Sequence, residues 1–355
     1  MASTSPLLVS ASEARRFAED ILKGHGVSAK NAAIVAHCLV AADLRGVDTH
    51  GINRIPSYIE RIKLGSFNAT ADPTVTKVMP AVTHVDGHNG WGFVATDAGL
   101  NAAIESAKTC GIGMASIKHS NHYGMAAWAV QKAIDAGMMS LVFTNSSPAM
   151  PPWGGKSNIV GVSPIACGAP GKTPESSFIL DMAPSLVARG KVRKALRRGE
   201  KISLEWALDA EGKPTDDPAE ALKGFMQPMG GPKGSALAIM MDVFSGVLSG
   251  SAFAGHVTGP AEPSKVADVG HFIVAIKADL FMDMDAFHDR MQYLYNRVVQ
   301  SEPATGVKRI YFPGEIERLL KEEREVKGIP YVQSEIDALN KEAERVSVSA
   351  LKVLS

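Results

Sequence analysis

Two residues four positions apart, His50 and Arg54, are the first in the chain whose types suggest chemistry. They lie in RGVDTHGINRIPSYIERI, residues 45–62. A helix that begins at Thr49 or Asn53 would turn both side chains towards the same space. A histidine can exchange a proton near neutral pH, and a guanidinium can hold an anion. The pair suits an acid–base catalyst beside an anion clamp, while the alternative is a structural histidine next to a surface charge.

A second polar stretch, KHSNHYGMAAWAV at 118–130, carries His119 and His122. A strand-like run leads into it, and a helix of small residues is predicted to begin near Gly124. Because the N–H groups at a helix N-terminus bind phosphate, we interpret the stretch first as a phosphate site. Two alternatives stay open, in which the histidines cap the helix or their i, i+3 spacing ligates a metal. The chain has no HExxH motif and no cysteine pair that would strengthen the metal alternative.

Two further segments concentrate residue types that bind ligands. A stretch rich in Pro, Gly and Ser over 144–170 is predicted to be a long loop between strands, and such loops in compact domains are usually functional or mobile. Residues 179–201 then predict a buried strand ending in Asp181, a turn and a basic helix. The charges from 193 to 201 fit a solvated helix face. The better ligand candidates are the residues nearest the turn, Arg189, Gly190 and Lys191.

The common nucleotide-binding motifs are absent. The glycine-rich segment at 229–250 is not a P-loop, because Gly234 follows Lys233 where GxxxxGK[ST] requires Ser or Thr. The sequence GIGMAS at 111–116 lacks the third glycine of GxGxxG and precedes a strand-like run. The chain therefore carries no ordinary Rossmann fingerprint.

The elements that must position these residues define three segments. Residues 1–73 predict helices, with a capping box at Ser10 and Glu13. Over 74–283 the pattern begins with a hairpin and then alternates between helical and strand periods, which predicts an α/β domain. Helical patterns return in 284–355, and we expect these helices to pack on the first ones.

Composition limits the partners and the compartment. A chain of 355 residues with 45% hydrophobic content can bury a large core. Basic and acidic residues number 37 each, so no positive field draws the protein to nucleic acid or to a membrane surface. The cysteines Cys38, Cys110 and Cys167 fit neither a disulfide framework nor a zinc site, which indicates a reducing cytoplasm. No signal-peptide core and no run of 18 apolar residues is present, so small molecules and a second copy are the expected partners.

Six segments, taken in order across nearly the whole chain, resemble the malate/L-lactate dehydrogenase family of the sulfolactate dehydrogenase-like fold. They are RGVDTHGINRIPSYIERI, SNHYGMAAWAV, GVSPIACGAP, ILDMAPSLVARGKV, GGPKGSALAIMMDVFSGVLSG and YFPGE. The resemblance implies an α/β protein with a mixed-sheet, non-Rossmann nucleotide domain and a helical domain built from both chain ends. It also implies a homodimer that uses NAD or NADP to interconvert a malate-like or lactate-like 2-hydroxy acid and its 2-oxo acid.

The resemblance also implies roles for single residues. His50 matches the proton-transfer histidine, Thr49 supplies a hydroxyl that orients it, and Arg54 matches the arginine that holds the substrate carboxylate. His122 matches a position beside both substrate and cofactor and is included among the catalytic residues. The implied cofactor contacts are His122, Tyr123, Gly124, Ser146, Leu180, Asp181, Met182, Lys233, Pro313, Gly314 and Glu315. The predicted substrate contacts are Arg54, Val162, Arg189 and Gly190.

Two positions depart from the family pattern and leave the substrate open. The chain has Val162-Ser163-Pro164 where some members have Asn or Thr before the proline, and Lys191 stands where some have Asp. One alternative on the same scaffold is a reductase of cyclic imino acids. A second is a metal-dependent lyase or hydrolase built on His119, His122 and Asp181, and a third is a nucleotide-binding protein without catalysis.

Overall fold

A computed structural model describes residues 6–260 and 262–354. Within these ranges the α-helices are α1 (Ala11–Gly24), α2 (Ala29–Leu44), α3 (Ile55–Lys63), α4 (Gly92–Cys110), α5 (Ala127–Asp135), α6 (Arg189–Arg198), α7 (Pro218–Lys223), α8 (Pro232–Asp242), α9 (Met284–Val299), α10 (Glu315–Lys327) and α11 (Gln333–Arg345). The strands are β1 (Leu7–Val9), β2 (Thr74–Met79), β3 (Val82–Asp86), β4 (Ile112–Ser120), β5 (Met138–Thr144), β6 (Pro148–Met150), β7 (Val160–Gly161), β8 (Ile165–Ala169), β9 (Phe178–Met182), β10 (Ala207–Leu208), β11 (Phe225–Met226), β12 (Val269–Lys277) and β13 (Ile329–Tyr331).

The first helices form where the sequence pattern predicts them. Ser10 caps α1 by accepting a hydrogen bond from the Glu13 N–H at 3.2 Å. The Glu13 carboxylate binds Arg16 instead of returning to the Ser10 N–H, so only the serine half of the predicted capping box forms. Helices α1 and α2 bury apolar faces in the main core. In the described part of the chain, every helix is too short or too polar to cross a lipid bilayer.

A seven-stranded mixed sheet in the order β2-β3-β4-β12-β5-β8-β9 forms the centre of the molecule. β3 and β4 are parallel, and the other neighbouring pairs are antiparallel. It follows that β3, β4, β5 and β9 run in one direction, and their carboxyl ends meet at one edge, here called the carboxyl edge. The loops after residues 86, 120, 144 and 182 therefore lie at the same edge.

The C-terminal segment returns to the N-terminal helices, with one exception. β1 pairs with β13, α10 contacts α2, and α11 contacts α3. One apolar core includes Phe17, Ile59, Val85 and Leu339, so the predicted segments 1–73, 74–283 and 284–355 pack around shared hydrophobic residues. In contrast, α9 contacts the 3-10 turn Pro174–Ser176 and buries none of its residues. The division of the chain into these three segments remains a proposal.

Several local predictions are wrong in their boundaries. The stretch 144–170, predicted as one long loop, contains the β6–β7 hairpin, and a second apolar core joins it to α6, α7 and α8. Helix α5 begins at Ala127 and not near Gly124, because Gly124 has a left-handed φ of 78°. The apolar, small-residue pattern of 234–250 predicts one helix, whereas α8 ends at Asp242 and the chain continues as the π-helical turn Val243–Val247.

The last helix is also shorter than its sequence pattern predicts. The pattern extends the helix to about residue 354, whereas α11 ends at Arg345. The run VSVS follows, and its β-branched and serine residues have low helix propensity. Ser347 adopts φ 57°, outside the right-handed helical region, so the chain leaves the helix there.

Candidate active site

His50 and His122, which come from distant parts of the sequence, stack on each other. Their ring centroids are 5.3 Å apart and the interplanar angle is 28°. Arg54 lies near both rings, and its positive charge helps to lower the pKa of each imidazole, although burial is the larger cause. The structure therefore brings together the proton-transfer candidates and the anion clamp that the sequence predicts.

Two successive tight turns carry His50 and Arg54. They are the 3-10 turns Asp48–His50 and Ile52–Arg54, and α3 follows only after the second. The helix predicted to begin at Thr49 or Asn53 therefore starts later than expected. Gly51 separates the turns with extended dihedral angles, φ −86° and ψ −161°, which interrupt any continuous helix.

His122 has a defined ring tautomer. Its Nδ1 accepts a hydrogen bond from the Gly124 N–H at 3.3 Å and lies 2.7 Å from the Tyr58 hydroxyl. Since Nδ1 accepts from a backbone N–H, we assign the single ring proton to Nε2. Burial, followed by the charges of Arg54 and His50, holds the pKa of His122 well below its usual value. The neutral ring thus presents Nε2 to a ligand while Tyr58 and Gly124 fix its orientation.

His50 is oriented by its neighbour, in the way that the resemblance implies. Thr49 Oγ1 lies 2.9 Å from His50 Nδ1. Burial and then the charge of Arg54 lower the pKa of His50 to about 4, so the ring is neutral at pH 7. A carboxylate bound to Arg54 would offset that charge and raise the pKa of both histidines. Binding of an acid would therefore favour protonation of the pair.

Arg54 has the properties of an anion-binding residue. Its Nε is buried without a hydrogen-bond partner, and within residues 6–260 and 262–354 the guanidinium forms no ion pair with an acidic side chain. A guanidinium can hold a carboxylate through two parallel hydrogen bonds. An unpaired guanidinium beside two neutral imidazoles is thus suited to an acid that also presents an oxygen to a histidine.

The beginning of α6 lies beside these turns. A Cβ built on Gly190 would be 3.5 Å from the Thr49 methyl carbon, so the two residues are neighbours. Arg189 donates a hydrogen bond to the Leu222 carbonyl at 2.6 Å, and its Nε is buried without a partner. Val162 packs against the second apolar core, which includes the α6 residues Val192 and Ala195. Gly190 is the predicted substrate residue of α6 that contacts the turn.

Several predicted cofactor positions meet at β9. Asp181 lies between Leu180 and Met182, and its carboxylate accepts a hydrogen bond from the Ala127 N–H at 2.8 Å. Burial raises the pKa of Asp181 to about 6. Because this carboxylate already caps the N-terminus of α5, the phosphate site predicted at that N-terminus is wrong. A phosphate there would be repelled by the carboxylate.

Ser146 and Lys233 approach the carboxyl edge from two other loops. Ser146 Oγ is buried without a hydrogen-bond partner and lies against Gly161, where a Cβ would be 2.3 Å from it. Lys233 is exposed in the first turn of α8. Gly234, the next residue, packs against the Pro184 carbonyl just beyond β9. The orphaned serine hydroxyl is a group that a bound ligand could satisfy.

The PGE segment, Pro313 to Glu315, is attached to β9. The Ile179 N–H donates a hydrogen bond to the Pro313 carbonyl at 3.2 Å. The Glu315 carboxylate is buried, pairs with Arg309 and accepts a hydrogen bond from the Phe312 N–H at 2.9 Å. Because both oxygens of this carboxylate already bind neighbouring groups, a ligand would contact the backbone of the segment and not the Glu315 side chain.

A cavity of about 1010 Å³ lies between α2, α5 and α10, and Gly314 and Glu315 form part of its wall. Arg45 lines the cavity and is itself 7% exposed. Its guanidinium donates a hydrogen bond to the Gln131 side chain at 2.6 Å and forms no ion pair within the described ranges. The charge of Arg45 also acts on Asp181 and lowers the pKa of that carboxyl, against the larger effect of burial. The cavity therefore adjoins the cofactor positions on β9.

Tyr123 does not turn its side chain towards this edge. Its ring packs edge-on against His271 with centroids 4.7 Å apart, and its hydroxyl is buried without a partner. His271 itself bridges Thr144 and Ser120 through hydrogen bonds of 2.7 and 2.8 Å. We interpret His271 as a structural residue that ties β12 to both neighbouring strands.

The residues of the alternative metal site do not come together. His119 binds the Asp86 carboxylate at 3.1 Å and adopts a left-handed φ of 49°. In the part of the chain that the structure describes, no group of three or more His, Cys, Asp or Glu side chains is placed to hold a metal ion. The set His119, His122 and Asp181 thus lacks the geometry of a metal site.

Tyr58 is a residue of the site that the sequence motifs do not identify. Tyr58 is buried and bonds His122, and it lies four residues after Arg54. Four residues is close to one helical turn, so the first turn of α3 places Tyr58 near Arg54. The four-residue spacing of Arg54 and Tyr58 is the sequence feature that could have predicted this contact.

The chain is similar to known dehydrogenases along most of its length. The malate/L-lactate dehydrogenase family model matches residues 9–340. The L-sulfolactate dehydrogenase of Methanocaldococcus jannaschii is 39% identical over 305 residues, 86% of this chain and 88% of that protein. The NADP(+) (2R)-3-sulfolactate dehydrogenase of Chromohalobacter salexigens is 34% identical, covering 89% and 92%, and the NAD(+) ureidoglycolate dehydrogenase of Escherichia coli O157:H7 is 33% identical, covering 86% and 87%.

Solved structures match along almost the whole chain. The sulfolactate dehydrogenase of Methanocaldococcus jannaschii has a TM-score of 0.91 and 36% identity, covering 97% of this chain and 98% of that one. The delta1-piperideine-2-carboxylate reductase of Pseudomonas syringae has a TM-score of 0.85 and 27% identity, covering 95% and 99%.

Fold and site define a dehydrogenase with a non-Rossmann sheet. The chain belongs to the malate/L-lactate dehydrogenase family. The predicted sulfolactate dehydrogenase-like fold is confirmed. The predicted enzyme class, an NAD(P)-dependent hydroxy acid dehydrogenase, is confirmed as well.

Proposed function

We propose that this protein interconverts a malate-like or lactate-like 2-hydroxy acid and its 2-oxo acid, with His50, His122 and Arg54 as the reacting site. The observation that carries the proposal is the unpaired Arg54 guanidinium beside two stacked, neutral imidazoles. Arg54 would hold the substrate carboxylate and thereby place the oxygen on C2 against the histidines. The names of the relatives, which include sulfolactate and ureidoglycolate dehydrogenases, support this substrate class.

Proton transfer is assigned to the histidine pair. In reduction an imidazolium gives its Nε2 proton to the carbonyl oxygen, and in oxidation a ring whose Nε2 is unprotonated takes the hydroxyl proton. His122 is in that state only when its ring proton lies on Nδ1 and is donated to the Tyr58 hydroxyl. A charge on His50 lowers the pKa of His122, so at most one of the two rings is charged at a time. Tyr58 can donate to His122 Nδ1 or accept from it, and it keeps the ring oriented in both protonation states.

The residues along β9 fit a nicotinamide dinucleotide, which supplies or accepts the hydride when it is bound. The orphaned Ser146 Oγ offers a hydrogen bond to a ligand, and Lys233 offers a positive charge. The backbone of 180–182 and of 313–315 would line the bound molecule. Arg45, which is buried and forms no ion pair among the described residues, would hold a phosphate at the wall of the cavity.

A substrate panel tests the proposal. We expect the purified protein to oxidise NADH or NADPH only when a 2-oxo acid or a cyclic imino acid is added, with no added metal. The absorbance of the reduced nicotinamide measures this directly. Turnover that disappears on chelation and returns only with zinc would contradict the assignment, as would reduction of neutral ketones at the same rate as the acids.

A cyclic imino acid is the second candidate substrate. The similarity to the delta1-piperideine-2-carboxylate reductase structure favours it, and such a ring carries a carboxylate that Arg54 would hold in the same way. The same panel separates the two candidates, because only one substrate class should reach kcat/KM values of about 10⁴ M⁻¹s⁻¹ or more, as enzymes show for their own substrates.

We also propose that the protein works as a homodimer in the cytoplasm. An exposed apolar stripe supports the dimer. It runs along α8 and the π-helical turn through Ile239, Val243 and Val247, which are 43%, 47% and 53% exposed. Contiguous apolar patches of this kind mark interaction surfaces. We therefore place the contact with the second copy on this stripe.

We expect Val243→Glu combined with Val247→Glu to convert the dimer into a monomer, because two buried carboxylates would lose their hydration at the contact. Sedimentation velocity measures the mass. The matched control is Val326→Glu on α10, whose side chain is 87% exposed and far from the stripe in sequence. A dimer that survives the double substitution but dissociates with Val326→Glu would move the interface to α10.

A further inference from the structure

Asp43, in the last turn of α2, is a buried carboxylate at 1% exposure, and among the residues that the structure describes its side chain forms no ion pair. Its Oδ2 accepts hydrogen bonds from the Ile52 N–H at 2.9 Å and from the Tyr331 hydroxyl at 2.7 Å. Ile52 is located between His50 and Arg54 in the sequence. Burial raises the pKa of Asp43 to about 7, while the two hydrogen bonds act in the opposite direction. One carboxylate thus connects α2, the active-site turns and β13.

Gly51 shows how closely the turns approach this carboxylate. A Cβ built on Gly51 would lie 1.6 Å from Asp43 Oδ1 and 2.1 Å from its Cγ. The dihedral angles of Gly51 are ones that any residue adopts, so backbone strain does not require glycine here. The requirement comes from contact: only a residue without a side chain leaves room for the Asp43 carboxylate.

The C-terminal segment holds the same turns at two more points. Arg324 on α10 donates hydrogen bonds to the Asp43 carbonyl and to the Asp48 carboxylate. Asn53 donates to the Glu335 carboxylate on α11 at 3.2 Å. Side chains from α10, β13 and α11 therefore surround the segment that carries His50 and Arg54, and the Asp43 carboxylate is buried against it.

We propose that Asp43 is a positioning residue, whose carboxylate fixes Ile52 and so holds His50 and Arg54 in register for one substrate. The proposal rests on the proposed roles of those two residues. Displacement of a reacting group by about 1 Å can lower a rate by about 10² fold, so fixation of this kind affects turnover as well as stability.

The first test compares two substitutions at Asp43. We expect Asp43→Leu, which removes the acceptor at similar size, to lower kcat/KM for the preferred acid by about 10² fold or more. Asp43→Asn keeps an oxygen acceptor for Ile52 and Tyr331, and we expect its kcat/KM to stay within about tenfold of wild type. Binding of NADPH, followed by its fluorescence, should change little in both variants. Binding of oxamate, an unreactive 2-oxo acid analogue, should weaken in Asp43→Leu only.

A stability control separates positioning from loss of structure. Leu22→Ala, a buried substitution on α1, should lower the melting temperature without lowering kcat. If Leu22→Ala at an equal melting temperature lowered kcat as much as Asp43→Leu, Asp43 would be a structural residue and the proposal would be overturned.

The sharper test is a double-mutant cycle with Gly51. We expect Gly51→Ala alone to lower kcat/KM by about 10² fold, because the new methyl group must displace the turn or the carboxylate. Asp43→Ala removes the carboxylate, so Gly51→Ala added to it should cause little further loss. Such non-additivity is expected for residues in contact, and additive losses would overturn the proposal.

The same series distinguishes this proposal from the proposed function. If His50→Asn and Arg54→Ala are inactive while Asp43→Leu has wild-type kcat/KM, the site is assigned correctly and the positioning role of Asp43 is wrong. If His50→Asn and Arg54→Ala are both fully active, the proposed function fails, and a loss of activity in Asp43→Leu would then be no evidence for positioning.

Discussion

Replacement of His122 by Asn should lower kcat by about 10² to 10⁴ fold, the range typical of a lost general acid–base group. Asn has a similar volume and keeps one hydrogen bond to Tyr58 or Gly124, but it cannot titrate. His50→Asn should fall in the same range, because the two stacked rings lie at one site and at most one of them is charged at a time. The double substitution should then cost little more than either single one, as expected for residues that act as a unit.

Steady-state turnover, together with NADPH binding by fluorescence, measures these effects. His256→Asn is the control, since this histidine is exposed and has no proposed role, and the substitution should leave kcat unchanged. Near wild-type turnover of His122→Asn with an inactive His50→Asn would give proton transfer to His50 alone, as the sequence resemblance implies. The reverse result would give it to His122 alone.

The lowered pKa values predict different pH profiles for oxidation of the hydroxy acid and reduction of the oxo acid. With a pKa of about 4 for His50 and a lowered pKa for His122, both rings are uncharged at neutral pH, so oxidation needs no prior loss of a proton from an imidazolium. We expect kcat/KM for oxidation of the hydroxy acid to be nearly constant between about pH 6 and 8. Reduction consumes a proton, so its kcat should decline as the pH rises over the same range. A rate of oxidation that increases tenfold per pH unit across this range would contradict the lowered pKa values.

The sequence predicts the parts of the site that lie within single segments. The types and spacing of His50 and Arg54, and the order of the motifs, indicate an acid–base histidine and an anion clamp. The alternating patterns predict an α/β domain, and the family resemblance implies its mixed sheet. The topology of that sheet explains why the loops after β4, β5 and β9 meet. These features depend on local patterns, which a single sequence carries directly.

Contacts between distant segments could not be predicted in the same way. Asp181 reaches the N-terminus of α5 only because β9 runs parallel to β4 and β5 in the completed sheet. Asp43 and Tyr331 come into contact only when β13 packs beside α2, and neither residue alone carries a sequence pattern that predicts the contact. The left-handed φ of Gly124 delays α5 by three residues relative to its sequence pattern, since a glycine does not reveal its dihedral angles. These contacts depend on the order and register of the strands and on how the C-terminal segment packs against the N-terminal helices.

Removal of the Arg54 guanidinium should produce the second large loss. Arg54→Ala should lower kcat/KM for the preferred acid by about 10² to 10³ fold, since two charge-assisted hydrogen bonds to a carboxylate are lost. Arg54→Lys keeps the charge but not the planar fork, so KM should rise and kcat should fall together. The pKa of His50 should rise when the charge of Arg54 is removed, because that charge lowers it in the wild type.

An uncharged analogue makes the test specific for the clamp. Wild type should discriminate strongly against the amide of the preferred acid, because the amide cannot form the charged bidentate pair. Arg54→Ala should lose most of this discrimination by turning over the acid more slowly, with little change for the amide. Arg290→Ala, which removes an exposed arginine from α9, should retain the wild-type preference and serves as the control. If Arg54→Ala kept its preference for the acid and instead lost affinity for NADPH, the arginine would bind the nucleotide, and the unpaired guanidinium beside the histidines would have to be reassigned as a phosphate ligand.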